Sequence, residues 1–307
     1  ILSKILKEEL SKKCNIITIN DLKREDFDKV DIILAYNGSE LRGLLKNLKN
    51  VKLIQTLSAG VEKVPYDELN PAITIVCSNS GGNAYPTAEH AFALIMSAIK
   101  RIPYHDRIMR KGIWNRQIYG YTLRGKTIGI IGYGKIGREI AKIAKLFNMR
   151  VLAIKRKRII DELADFIGTP EDLDFVLKES DIVVLSLPLT KETRGLITRE
   201  KLKIMKKNAI LVNISRGPVI VEKDLYEHLK ENPEFIAALD VWWNYPKGEK
   251  CFQNYPFHEL DNVIMTPHIA GFARDYLENW YRYAIENIKR FLEGKMPRNI
   301  VDLREYI

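Results

Sequence analysis

Residues 126–147 constrain the fold more tightly than any other stretch of this chain. An apolar run, Thr127-Ile128-Gly129-Ile130-Ile131, leads without a spacer into Gly132-Tyr133-Gly134-Lys135-Ile136-Gly137, and a helical pattern then continues to Phe147. Strand, glycine turn and helix in that order are what a dinucleotide-binding βαβ unit requires. The first glycine permits the tight turn, the second lets the backbone approach a pyrophosphate, and the third allows helix and strand to pack closely. The helix start adds unpaired N–H groups and a positive dipole end. Gly132, Tyr133, Gly134, Lys135, Ile136 and Gly137 are therefore the first candidate cofactor residues.

Further apolar, strand-length runs follow at 150–154, 182–187, 209–214, 235–241 and 263–265, with a helix-capping signal at Thr169-Pro170-Glu171-Asp172. Runs that are apolar throughout suit parallel strands covered on both faces. Ahead of them, short runs at 16–19, 32–36, 53–57 and 73–77 alternate with helical stretches such as 40–48, and residues 84–100 have the spacing of a largely buried helix. After His268 the chain returns to a helix at 275–292. The expectation is an α/β protein of two domains: a doubly wound parallel (Rossmann) sheet inserted in a smaller, flavodoxin-like α/β domain. The outer, substrate-binding part takes residues 1–95 and 275–307, the dinucleotide part residues 96–274, and two domains leave a cleft.

Composition removes several function classes. In the 307 residues no uncharged apolar stretch reaches membrane-spanning length, and the first ten residues form an amphipathic helical pattern rather than a signal peptide, so a cytoplasmic location is expected. The net charge of +10 is spread over helices that also carry Asp and Glu, which argues for a solvated surface and against nucleic acid. Cys14, Cys77 and Cys251 lie in no metal-binding spacing, and no metal is expected.

At the end of the second strand of such a fold, NAD-preferring proteins place a carboxylate for the adenosine ribose. This chain carries Lys155-Arg156-Lys157-Arg158 instead. Cations there would attract a 2′-phosphate, with Arg156 best shaped for a bidentate grip, so NADP is expected ahead of NAD.

Three more segments follow predicted strand ends, where open α/β sheets bind ligands: Asn213-Ile214-Ser215-Arg216-Gly217-Pro218, Ala238-Leu239-Asp240-Val241-Trp242-Trp243 and Thr266-Pro267-His268-Ile269-Ala270-Gly271. Together with the glycine turn and Leu57-Ser58-Ala59-Gly60-Val61-Glu62, they resemble the D-2-hydroxyacid dehydrogenase family in order and spacing over nearly the whole chain. The resemblance implies a homodimer that transfers hydride between a nicotinamide and a small 2-keto acid of the glyoxylate or hydroxypyruvate kind. It implies that Arg216 holds the substrate carboxylate and keto oxygen, that His268 is the general acid, and that the backbone N–H groups of Ala59, Gly60 and Val61 complete the carboxylate site. It also implies that Asp240 meets the nicotinamide carboxamide and that Leu187, Pro188, Ile214, Ser215, Arg216, His268 and Gly271 line the cofactor. His90, His105, His228 and His258 are read as structural.

One position departs from the family pattern. Five residues after the motif Asp, where the family has a carboxylate that bonds the catalytic His, this chain has Tyr245. A neutral phenol can orient an imidazole but cannot raise its pKa as an anion does, so either Glu249 or Glu259 reaches in or the activity optimum shifts to acid. Formate and phosphoglycerate dehydrogenase-like activities remain alternatives on the same frame, the end of the sequence at Ile307 weighing against the longer phosphoglycerate enzymes; so does a non-catalytic, dinucleotide-sensing corepressor-like protein. Relatives also begin with a strand ahead of the first helix, which here would precede Ile1. Trp242, Trp243 and Tyr85 are candidates for narrowing the substrate pocket, or else packing residues.

Overall fold

The computed structural model describes residues 1–245 and 254–306; Glu249 and Cys251 lie outside the described residues. In chain order the elements are α1 (Leu2–Leu10), β1 (Ile32–Ala35), β2 (Leu53–Thr56), β3 (Ile75–Cys77), α2 (Ala84–Ile99), α3 (Ile102–Arg110), β4 (Thr127–Ile131), α4 (Lys135–Leu146), β5 (Arg150–Ile154), β6 (Phe166–Gly168), α5 (Leu173–Glu179), β7 (Ile182–Leu185), α6 (Arg199–Ile204), β8 (Ile210–Asn213), α7 (Glu222–Glu231), β9 (Ile236–Leu239), β10 (Val263–Met265) and α8 (Leu277–Leu292). They fall into two compact units, Ile1–Asn83 with Phe272–Ile307, and Ala84–Gly271. The second unit takes the whole of α2, so the division lies before this helix and not within it at residue 95.

The second unit is built on a seven-stranded sheet of order β10-β9-β8-β7-β4-β5-β6, parallel at every pairing. Each inner strand feeds two cores with alternate residues. Ile128, Ile130, Ile182, Val184, Ile210 and Val212 face the layer holding α2 and α4. Ile131, Val183, Leu185 and Leu211 face the layer holding α5, α6 and α7. Burial on both sides explains why these strands read as unbroken apolar runs. The expected cap at Thr169 forms as a reciprocal box with Asp172. The edge strand β6 has too few residues to show a period in the sequence.

The first unit holds a three-stranded parallel sheet, β1-β2-β3. On one face Leu53 and Cys77 pack with Ile5, Leu10, Ile285 and Ile288 of the two helices. Glu9 on α1 joins them further by accepting hydrogen bonds from Arg282 and Lys289. Two expectations fail here. The run at 16–19 forms no strand: the Thr18 hydroxyl bonds Asp21 and the backbone turns from Thr18 to Asp21, leaving Ile16, Ile17 and Ile19 exposed. The stretch at 40–48 is not one helix but two short 3-10 turns, Ser39–Leu41 and Leu45–Asn47, because Arg42 leaves helical geometry at ψ 126° and Gly43 takes φ +81° between them.

Candidate active site

The strand register lines up the functional segments. Ile154 pairs with Ile131, Ile131 with Leu185, Leu185 with Asn213, Asn213 with Leu239, and Leu239 with Met265. The sequence-predicted cofactor and catalytic residues of the second unit follow that single row, at the C-terminal edge of the sheet, whereas Tyr85 lies exposed at the start of α2 and Glu259 on a turn ahead of β10. Neighbouring strands are about 4.8 Å apart, so the chain leading to Arg216 and the chain leading to His268 leave the sheet roughly 10 Å from each other. The chain order reverses at β4, which has β5 on one side and β7 on the other, and this is where open α/β sheets form a crevice.

The glycine turn has the shape of a phosphate cradle. Gly132 takes φ +105°, and a Cβ there would come within 2.6 Å of the Ser186 carbonyl; at Gly137 it would come within 2.5 Å of the Gly132 carbonyl. At Gly134 a Cβ would meet nothing within 4 Å, so the backbone there is open. Lys135 opens α4, whose first-turn N–H groups have no intrahelical acceptor. The Tyr133 side chain is buried in the core and that of Ile136 packs partly against it. Leu187 is half-buried and Pro188 exposed just beyond β7. The cationic stretch divides its work: Lys155 Nζ donates to the Tyr133 carbonyl at 2.9 Å, closing the turn, and Arg158 pairs with Asp172 at 3.1 Å. Arg156 and Lys157 are exposed.

Beyond β8 the backbone is fixed by a buried amide. Asn213 accepts hydrogen bonds from the Ser215 N–H and hydroxyl at 3.0 and 2.8 Å and donates to the Arg216 carbonyl at 3.0 Å. Ile214 is buried, and Arg216 is half-buried with Nη1 donating to the Ser215 carbonyl at 2.7 Å. Gly217 lets the segment after β9 come close, since a Cβ would sit 2.3 Å from the Trp242 carbonyl carbon. Both tryptophans are struts: Trp242 Nε1 donates to the Thr266 carbonyl at 3.0 Å, and Trp243 Nε1 donates to the Ile220 carbonyl at 2.7 Å while its ring stacks on Phe257.

His268 sits in the left-handed region, φ +58°, which is costly for a residue with a Cβ. The turn that holds it is anchored by Asp240, whose carboxylate is fully buried. Oδ1 accepts from the Thr266 hydroxyl at 2.6 Å and the Ile269 N–H at 3.0 Å, and Oδ2 accepts from the Ala270 N–H at 2.9 Å. Burial alone would push this carboxyl up; the hydrogen bonds from His90, Thr266, Ile269 and Ala270 outweigh it and hold the group below the usual carboxylate range. His90, read from sequence as a structural residue, is part of this cluster. The Tyr245 ring lies 5.3 Å from the His268 ring, while its hydroxyl accepts from the Trp242 N–H at 3.4 Å. Glu259 is exposed on a 3-10 turn, Phe257–Glu259. In the first unit, the 57–61 loop beyond β2 is pinned by Trp280 Nε1 and Asn79 Nδ2, which both donate to the Leu57 carbonyl, and by the Tyr66 hydroxyl, which donates to the Val61 carbonyl. Ala59 and Gly60 are half-buried there and Val61 buried.

A fold and site of this kind define a nucleotide-dependent oxidoreductase, and the comparisons give the family. Residues 92–270 match the model of the D-isomer specific 2-hydroxyacid dehydrogenase NAD-binding domain. The chain is 36% identical over 267 residues to the glyoxylate reductase of Pyrococcus furiosus, covering 84% of this chain and 78% of that one. It superposes on the D-isomer specific 2-hydroxyacid dehydrogenase of Xanthobacter autotrophicus Py2 in complex with NADPH and MES with a TM-score of 0.83 at 26% identity, covering 100% and 95% of the two chains. On the D-lactate dehydrogenase of Aquifex aeolicus complexed with NAD and lactic acid the TM-score is 0.77 at 29% identity, covering 95% and 92%. This chain belongs to the D-isomer specific 2-hydroxyacid dehydrogenase family. It is an NAD(P)-dependent oxidoreductase of small 2-keto or 2-hydroxy acids. Among the described residues no helix is long and apolar enough to cross a membrane, and no group of His, Cys, Asp and Glu is arranged to hold a metal.

Proposed function

We propose that the protein reduces a 2-keto acid as small as glyoxylate or hydroxypyruvate and prefers NADP(H) to NAD(H). The observation that carries the reading is the single row of strand ends from which the glycine turn, Arg216 and His268 all emerge. When bound, the nicotinamide supplies the hydride. Arg216 holds the substrate carboxylate and keto oxygen through its planar fork of donors, and His268 gives its proton to the keto oxygen. Tyr245 orients the His268 ring, and Ser215, Ile214, Leu187, Pro188 and Gly271 line the cofactor. Oδ2 of Asp240 accepts from the Ala270 N–H, and its second lone pair is the one proposed for the carboxamide. Of the cationic stretch, the exposed Arg156 and Lys157 are the residues for the 2′-phosphate, and Lys155 donates to the Tyr133 carbonyl. The backbone N–H groups of Ala59, Gly60 and Val61, in the first unit, serve as donors to a carboxylate. Glyoxylate reductase activity in a relative 36% identical supports the small substrate.

A second copy of the chain is the proposed partner. The helix α3 and the loop after it expose Ile102, Met109, Ile113, Trp114, Ile118, Tyr119 and Tyr121, apolar side chains that a second copy would cover. Cys14 and Cys77 are free thiols, which suits the reducing conditions of the cytoplasm.

The test is NADPH consumption at 340 nm with a panel of keto acids, beside Arg216→Ala and His268→Ala. Each substitution should lower kcat/KM by a factor on the order of 10² to 10⁴. Full activity in either variant sinks the assignment of that residue.

A further inference from the structure

The His268 turn is supported from outside the loops. Helix α2 packs along β8, β9 and β10 and places His90 beside the end of β10. His90 Nε2 lies 3.1 Å from the Thr266 hydroxyl oxygen and 3.4 Å from Asp240 Oδ1. Thr266 has one hydroxyl proton and gives it to Asp240 at 2.6 Å. Its oxygen can therefore face His90 only as an acceptor, so Nε2 carries the proton. The result is a directed chain from imidazole N–H to hydroxyl to buried carboxylate, in which each bond polarises the next.

That chain ends on the carboxylate that gathers the N–H groups of Ile269 and Ala270. These two consecutive N–H groups converge on one anion, and the residue just before them, His268, bends the backbone at φ +58°. We propose that His90 is a positioning residue for His268, acting through Thr266 and Asp240 to hold the general acid in its left-handed turn. The inference rests on His268 being the proton donor of the proposed reaction. His90 itself contacts Thr266 and Asp240 and is not placed on a reacting atom. Its reach is to the carboxylate, and only through it to the catalytic ring.

The experiment compares His90→Leu, which keeps volume and removes the donor, with His90→Gln, whose side-chain amide places an N–H close to the position of Nε2. Supporting partners of a functional side chain are worth roughly 10- to 100-fold in activity. The Leu variant should lose that much kcat, with the KM for the keto acid and the dissociation constant of NADPH changed by no more than about twofold, a change of the kind expected when ground-state binding is spared. The Gln variant should recover most of the loss. Hydrogen exchange of the peptide carrying Ile269 and Ala270 should be faster in the Leu variant than in either wild type or the Gln variant. Wild-type kcat in the Leu variant, equal impairment of Leu and Gln variants, or unchanged exchange in all three overturns the proposal. If His268→Ala retains turnover, the reading of His268 as acid fails on its own, and the exchange measurement still decides whether His90 holds the turn.

Discussion

Two turns at the same sheet edge hold their shape by different means. The turn after β4 owes its path to sterics: Gly132 is at φ +105°, and neighbouring carbonyls crowd the spaces where Cβ atoms of residues 132 and 137 would be. The turn after β10 has a histidine at φ +58° and owes its path to a buried anion that collects one hydroxyl and two N–H groups. A steric turn is fixed by the space its neighbours leave and admits no Cβ at residues 132 and 137. A polar turn admits a functional side chain at the bend, but it depends on a charge remaining in place.

Substitutions at the two anchors test this most directly. Gly132→Val places a β-branched residue at positive φ against the Ser186 carbonyl, and strain and overpacking together should cost about 3 kcal/mol or more. NADPH affinity should vanish with it. Asp240→Asn keeps the shape but turns an NH₂ group toward donors, and should cost about 2–3 kcal/mol. Here kcat should fall before cofactor affinity does. Denaturant unfolding and NADPH titration of both variants decide it; an Asp240→Asn protein as stable as wild type would end the contrast.

A charge can also be added to the polar turn. Tyr245→Glu puts a carboxyl close to the His268 ring, 5.3 Å from the present phenol ring. An anion at that range favours the imidazolium, so the pH at which reductase activity falls should rise by about one unit. A profile that does not move means that residue 245 does not face the ring in solution.

The smallest change in stability is expected at the bend itself. His268→Gly relieves about 1–2 kcal/mol of left-handed strain and adds about 0.5–1 kcal/mol of chain entropy to the unfolded state. The net should be a gain of about 0.5 kcal/mol with turnover lost, which would show that the histidine is held there against its own preference. Clear destabilisation in unfolding experiments would mean that the side chain supports the turn instead of burdening it.

The sheet edge was legible in the sequence because β4, β7 and β8 are buried on both faces and their ends are marked by residues with few alternatives. The first unit was less so. Ile16, Ile17 and Ile19 look like a strand to any test of local polarity, and only the Thr18–Asp21 turn shows that they are not one. Lys155 and Arg156 are adjacent cations in one dimension, and nothing in the sequence says that one donates to the Tyr133 carbonyl while the other is exposed. His90 was missed for a similar reason. A lone histidine on a buried helix carries no motif, and its partner at Asp240 is far along the chain, so only the packing of α2 along β9 and β10 brings them together.

The contrast between the turns should finally appear as a pH dependence. Asp240 has its folded pKa below the carboxylate range of the unfolded chain, about 3.9, because the donors from His90, Thr266, Ile269 and Ala270 outweigh burial. A depressed folded pKa means that the unfolded state binds the proton more readily, so the contribution of Asp240 is complete above about pH 4 and is lost as pH falls through the folded value. The stability gap between wild type and Asp240→Asn should therefore be full at about pH 6 and narrow below about pH 4. The gap between wild type and Gly132→Val contains no titrating group and should stay constant over the same range. Unfolding free energies measured across that range provide the comparison, and parallel curves for the two variants would mean that the His268 turn does not rely on the charge of Asp240.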